Sequence, residues 1–268
     1  MIGKKLIVAG DGHVHLYPCH EPSSAISYLI NNLNLMAESA RSREQEEDVF
    51  KIAFLAESKQ HDYFHKILKN EIDFRKIDLE TSAGPEEHCV SLSKQGKFLL
   101  TLVAGRQIVT GEKLEILGLG IEEIVPDGLP AEEAVEIIIA AGGLPVLAFS
   151  PGKWLFKRGR LAMALIEKYR PNLLVGDSAL RPLGWGEPSI MRRVKGKILP
   201  GSDPLPLSGD EKHAGCYGFV YQGSFDISKP LTSMKKIIAT MPQTILSAGR
   251  RCSFINVAGR LYRLSKAK

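Results

Sequence analysis

Short, nearly continuous apolar runs alternate with amphipathic stretches along most of the chain. From residue 113 the rhythm is regular. "KLEILGLG" (113–120), "LPVLAFS" (144–150), "NLLVGDS" (172–178) and "KILPGSD" (197–203) read as strands buried on both faces. Between them, "PAEEAVEIIIAA" (130–141), "RLAMALIEKYR" (160–170) and "EPSIMRRVKG" (187–196) read as helices. The first opens on Pro130 with acids in its first turn and stops at Gly142-Gly143, while Pro171 ends the second. Strands alternating with helices at this spacing predict βαβ units and a parallel sheet.

The N-terminal half follows the same scheme more loosely. "KKLIVAG" is the first strand, and a helix follows with Ile26, Leu29, Ile30 and Leu33 on one stripe. "VFKIAFLAES" is the next strand and "QHDYFHKILKN" the next helix. Residues 72–110 break the rhythm and read as a β-rich insertion with a turn at Gln95-Gly96. No linker interrupts the chain, so a single domain over 1–268 is expected. The basic C-terminal stretch "INVAGRLYRLSKAK" is expected to pack only in part.

Composition changes this picture little. The chain has 268 residues, 44% of them hydrophobic, and a formal net charge of +5. That charge suits a small anionic substrate, such as a phosphorylated one, and argues against nucleic acid as a partner. Four scattered cysteines with no C-x-x-C pair point to a reducing cytoplasm. No apolar run is long enough for a membrane span, so no membrane partner is expected. Nothing in the sequence sets an oligomeric state.

Candidate chemistry gathers at the strand exits. "GDGHVHLYP" (10–18) delivers Asp11, His13 and His15 straight after the first strand. Residues i and i+2 of an extended chain point to one side, so both imidazoles can reach one ion. Asp11 lies on that side too and is placed to orient a histidine from behind. Other exits deliver Glu57 and Ser58, Gln107, Glu115, Phe149 and Ser150, Asp177, and Asp203. Lys153 and Arg181 follow strand ends and could neutralise a phosphate. His61 and His65 lack the acid of an H-E-x-x-H site and read as a polar helix face. No phosphate-binding glycine loop or nucleophile elbow is present.

"DGHVH" and "LPGSDPLPL" resemble the opening and closing motifs of the PHP (polymerase and histidinol phosphatase) family of metal-dependent phosphoesterases. "AGRQIVTGEKLEILGLG" and "AAGGLPVLAFSPGKW" are similar to the family's middle segments. The resemblance implies an irregular (β/α) TIM-like barrel of the PHP type, here with the β-rich insertion. It implies His13 and His15 as the first pair of metal ligands. The family's Asp-His falls on Glu57 and Ser58, its ligand glutamate on Gln107, and two of its histidines on Glu115 and Phe149. Its closing Asp-x-His becomes Asp203-Pro204-Leu205. His13, His15 and Asp203 remain as ligands, with Glu57, Glu115 and Asp177 as substitutes. Such a set suits a single zinc, manganese or iron ion, or none. With an ion, the expectation is a metal-dependent phosphoesterase with a reduced site. Asp203 or Glu57 would act as base, and Lys153 or Arg181 would hold substrate. Without one, it is a catalytically inactive relative that binds a small ligand or a protein.

Overall fold

A computed structural model describes residues 4–41, 47–58, 61–149, 154, 156–194, 197–240 and 245–267. In chain order the first half comprises β1 (Lys4–Val14), α1 (Pro22–Ala40), β2 (Val49–Leu55), β3 (Glu57–Ser58), α2 (Tyr63–Leu68), β4 (Glu80–Ala83), β5 (Cys89–Lys94), β6 (Lys97–Val103) and β7 (Gly105–Val109). The second half comprises β8 (Glu115–Leu119), α3 (Ala131–Ala140), β9 (Leu144–Ala148), α4 (Lys157–Lys168), β10 (Leu174–Ser178), α5 (Ser189–Arg193), β11 (Ile198–Gly201), β12 (Tyr217–Phe225), α6 (Pro230–Ala239), β13 (Ile245–Gly249) and α7 (Phe254–Lys266).

The strands form two mixed sheets, ordered β13-β12-β1-β2-β6-β5-β4 and β11-β10-β9-β8-β7-β3. Alternation along each strand explains why the apolar runs are continuous. Leu6 and Val8 of β1, with Ile52 and Phe54 of β2, face Leu117, Val146, Leu174 and Leu199 of the second sheet. Their neighbours Ile7, Ala9, Ala53 and Leu55 face the other way, onto Ile26, Leu29 and Leu33 of α1. On the far side, Ile116, Leu147 and Val175 pack under α3 and α4. The result is four layers, helix–sheet–sheet–helix, with both faces of the central strands dry. Leu231, Met234 and Ile238 of α6 plug the gap between the sheets.

This architecture corrects the expected TIM-like barrel. Among the described residues no ladder closes the two sheets into a barrel. The reason lies in β1, whose edge is occupied by β12, antiparallel from Lys4↔Phe225 to Gly10↔Phe219. That edge is therefore not open to β11 over most of its length. The sheets are also not simply parallel, since β8 runs antiparallel to both β7 and β9. The β7–β8 connection is only residues 110–114, too short for the crossover of a dozen or more residues that a parallel pair needs. The β-rich insertion is likewise redrawn. Strands β4, β5 and β6 extend the first sheet, whereas β7 belongs to the second.

Candidate metal centre

The two sheets meet where β1 runs past its last pairing with β12. There the Asp203 N–H donates to the His13 carbonyl at 2.9 Å, joining the tail of β1 to the loop after β11. The approach is close enough to dictate glycine on both sides. A Cβ on Gly12 would lie 2.6 Å from Leu199 Cγ, and one on Gly201 would lie 2.5 Å from the His13 Cβ. Asp203 itself takes the left-handed conformation, with φ at 52°. Asp11 staples the junction. One carboxylate oxygen accepts from the His13 and Ser202 N–H groups, each at 2.9 Å. The other accepts from the Ser202 hydroxyl at 2.5 Å and the Gly215 N–H at 3.0 Å. Complete burial pushes the Asp11 carboxyl up to about 6 despite these donors. Asp11 thus fixes the backbone that carries His13, rather than the imidazole ring as the sequence suggested.

The junction brings three expected residues together. His13 Nε2 and His15 Nε2 are 2.9 Å apart, and each lies 3.7 Å from Asp203 Oδ1. Three atoms with these separations share an equidistant point about 2.0 Å from each, the bond length zinc makes to imidazole and carboxylate. Among the described residues this is the one group of three or more His, Cys, Asp or Glu side chains arranged to hold an ion. Burial, and then the adjacent His13, hold the His15 imidazole well below the ordinary histidine value. It is therefore neutral and presents a lone pair, as a ligand must. The donor set fits a divalent ion. Gln107 Oε1, where the resemblance implies a ligand glutamate replaced, lies 3.2 Å from His13 Nε2. The Tyr17 ring stacks on His15 at 5.0 Å.

These groups form the floor of a cavity of about 780 Å³ lined by His15, Gln107 and Asp203, and by Tyr17 and Glu115. Its opposite wall is α7, which contributes Phe254, Val257, Leu261 and Leu264. The C-terminal stretch packs only in part, as expected: Val257 and Arg260 are buried, while Phe254, Ile255 and Tyr262 stay more than half exposed. Ser253 caps α7 by accepting from the Asn256 N–H. The helix is anchored by Arg260, which is 3% exposed. Its guanidinium makes two bonds to Asp210, at 2.8 and 2.6 Å, and a longer one to the Asp203 carbonyl at 3.4 Å. Burial alone would raise the Asp210 carboxyl, but bonds from His213 and Arg260 hold it well below the usual carboxylate range.

The remaining expected residues stand elsewhere. The carboxylate of Glu57 accepts from the Tyr63 and Phe64 N–H groups at the start of α2 and faces Arg106 at 3.7 Å. Burial raises Glu57 to about 7 against those favourable contacts. Asp177 is gripped by Arg181 at 2.7 and 2.5 Å and accepts from the Tyr217 hydroxyl at 2.8 Å. Arg181 also donates to the Trp185 carbonyl at 3.0 Å, so its guanidinium is spent within the protein. Glu115 lines the cavity but is not in the three-residue group. Phe149 packs in the outer core, its ring 5.2 Å from that of Trp154. Lys153 and Ser150 lie outside the described residues. His65 bonds to Asp62 and Glu122, and His88 also bonds to Glu122. The sequence reading missed Tyr17 and the α7 wall. The wall had a signal in the spacing of Phe254, Val257, Leu261 and Leu264.

No family model matches this sequence, and no curated protein matches it by sequence. Solved structures share its fold. PsfC from Pseudomonas syringae PB-5123 superposes with a TM-score of 0.54 at 13% identity, over 98% of this chain and 99% of PsfC. The lesion-specific endonuclease PfuEndoQ from Pyrococcus furiosus gives 0.52 at 14% identity, over 91% of this chain but 59% of the endonuclease. Endonuclease Q in complex with a 27-mer duplex bearing an abasic lesion at the active site gives 0.46 at 10% identity, over 89% and 58%. At these identities the likeness is one of fold. The expectation of a small anionic substrate with nucleic acid excluded is corrected: PfuEndoQ, which shares the fold, is a lesion-specific endonuclease, so the fold gives no ground for that exclusion. The physical reason is plain. A net charge of +5 averages over the whole surface and does not describe the field at one strand-end cavity. Among the described residues no helix is long and apolar enough to cross a membrane.

Proposed function

We propose that this chain is a metal-dependent phosphoester hydrolase of the PHP type, holding one divalent ion of zinc, manganese or iron. The observation that carries this reading is the convergence of His13 Nε2, His15 Nε2 and Asp203 Oδ1 at bonding distance around one point. An ion bound there supplies Lewis acidity toward an ester oxygen and acidifies water. The two buried imidazoles hold it from the protein side. Asp203, at the cavity floor, is placed to take the proton of an attacking water. The Tyr17 hydroxyl lines the cavity and, protonated at neutral pH like any tyrosine, could donate to a substrate oxygen. Glu57 and the Asp177–Arg181 pair, for which catalytic, ligand and substrate roles were expected, act as supports in this reading. Likeness to a lesion-specific endonuclease brings nucleic acid phosphodiesters into the substrate range.

Metal content tests the proposal first. The chain is purified without chelator or histidine tag, beside His13→Ala, and zinc, manganese and iron are counted per chain. About one ion per chain, lost in His13→Ala, is expected. Hydrolysis of bis(4-nitrophenyl) phosphate and of a short duplex with an abasic site is then assayed. No metal in either protein after incubation with excess ions refutes the reading. Stoichiometric metal without turnover would favour the second reading, a binding protein without catalysis. The observation behind that alternative is Phe149, an apolar ring in the outer core at a family ligand position.

A further inference from the structure

The cavity above the three donors has an unusual wall for a phosphoesterase. Ligand pockets of this size are common, but those for phosphorylated sugars or polyphosphates surround the anion with Lys, Arg or backbone N–H groups. Among the described residues lining this one, none is Lys or Arg. The buried guanidiniums nearby are committed elsewhere, Arg181 to Asp177 and Arg260 to Asp210. The charged side chains that do line it are Asp203, Glu115 and Asp127, all acidic. The opposite wall is apolar and comes from three separate segments. Leu180 and Trp185 follow β10, Leu205 follows Asp203, and Phe254, Val257 and Leu261 come from α7. Trp185 and Phe254 are more than half exposed, so they present ring surface that the fold itself does not cover.

From this asymmetry we infer that the site takes esters whose non-reacting part is an aromatic or branched-alkyl group. The group lies against α7 and Trp185, while the scissile centre sits over His13, His15 and Asp203. The inference deepens the proposed hydrolase and rests on that reading for the scissile centre alone. The apolar wall exists whether or not an ion binds. Burying one aromatic ring there favours an aryl over a methyl ligand by about 10- to 100-fold. A phosphorylated sugar gains nothing on this wall, and its second charged or polar end faces carboxylates.

Calorimetric titration of the zinc-loaded protein with phenylphosphonate, methylphosphonate and glucose 6-phosphate tests this. Phenylphosphonate is expected to bind tightest, by that factor, with glucose 6-phosphate no tighter than methylphosphonate. Ala258→Trp fills the cavity from an exposed position on α7, where folding tolerates it. It should cut the phenyl preference to below about 3-fold while zinc content stays unchanged. In the metal-free protein, the uncharged probe para-cresol should alter a tryptophan fluorescence signal that Trp185→Phe abolishes. If zinc does not bind but para-cresol does, the hydrolase reading fails and the apolar site stands. Equal affinity for the phenyl and methyl ligands, tightest binding of glucose 6-phosphate, or an Ala258→Trp protein with its preference intact overturns the inference.

Discussion

Asp11→Asn is the sharpest probe of how the metal centre is built. The substitution keeps shape and removes one acceptor oxygen. In the parent, Oδ1 takes the His13 and Ser202 N–H groups, and Oδ2 takes the Ser202 hydroxyl and the Gly215 N–H. With the new amide oxygen at Oδ1, those two backbone bonds survive without charge assistance. The amide NH₂ then faces the Gly215 N–H, donor against donor. The Ser202 hydroxyl can rotate and accept, but Gly215 cannot. One orphaned buried N–H costs about 1–3 kcal/mol, and the weakening of the remaining bonds adds to it. Relief of the buried charge offsets part of this cost. The expected net destabilisation is about 2–3 kcal/mol, read by urea unfolding at neutral pH with an unchanged m-value. The same loosening lets His13 drift against Asp203, so zinc affinity, measured by chelator competition, should fall about 10- to 100-fold. Stability within 0.5 kcal/mol of the parent would sink the staple. A stability loss with unaltered zinc affinity would show that the staple holds the fold but does not position the ligands.

Three further perturbations act on different parts of the same frame. Gly201→Ala drives a Cβ into His13 and should cost about 3 kcal/mol together with bound metal. Gly186→Ala, with nothing within 4 Å, should change neither melting temperature nor metal content. Arg260→Met leaves the Asp210 carboxylate, which is 1% exposed, with only the Leu205 N–H and His213 as partners, and should destabilise the α7 attachment by about 3 kcal/mol. Hydrogen exchange over residues 254–266 reads that release, and protection there equal to the parent's would refute it. Because Asp210 is held below its unfolded value, its contribution is present above about pH 4 and is lost as pH falls further. Glu57 has the opposite sign. Its folded value near 7 lies above the ordinary 4.5, so the folded state keeps a proton that the unfolded chain has released. Stability should fall by about 3 kcal/mol from pH 4.5 to 7, and Glu57→Gln should flatten that slope in urea titrations.

Much of the candidate site was legible because its ligands come from two short motifs at strand ends. The i, i+2 spacing of His13 and His15 settles that both face one side, whatever the sheet does beyond them. Asp203 was visible as a strand-exit carboxylate, but its meeting with the two histidines was reachable only through the motif, since nothing local says that the loop after β11 returns to β1. Glu57 and Asp177 show what position alone leaves open. Both sit at strand ends, as expected, but side-chain direction there depends on what lies next to each end. For Glu57 that is the N-terminus of α2. For Asp177 it is Arg181, four residues on, a pair visible in the sequence as two separate candidates. The fold was legible in its elements from 113 to 203 and less so in its connections. The five residues between β7 and β8 were enough to require an antiparallel turn. Residues 205–250, which supply β12, α6 and β13, lack the alternating rhythm and gave no elements. With β12 unseen, nothing in the sequence stood against the irregular barrel that the resemblance implied.

The placement of the site at the meeting of the two sheets also separates the residues that carry the frame from those that do not. In "GDGHVH" the residues serve two purposes at once. Asp11 and Gly12 make the junction between β1 and β11, His13 and His15 are the donors, and Val14 packs into the outer core. The fold and the donor triangle therefore depend on the same few residues, and losing one removes the other. Gln107, Phe149 and Leu205 carry no such double duty. Gln107 touches the imidazoles from the second sheet, Phe149 packs outward onto Trp154, and Leu205 lines the cavity. Each can be substituted without loosening the seam. The donor triangle therefore stands or falls with the seam between the sheets and not with these outlying side chains.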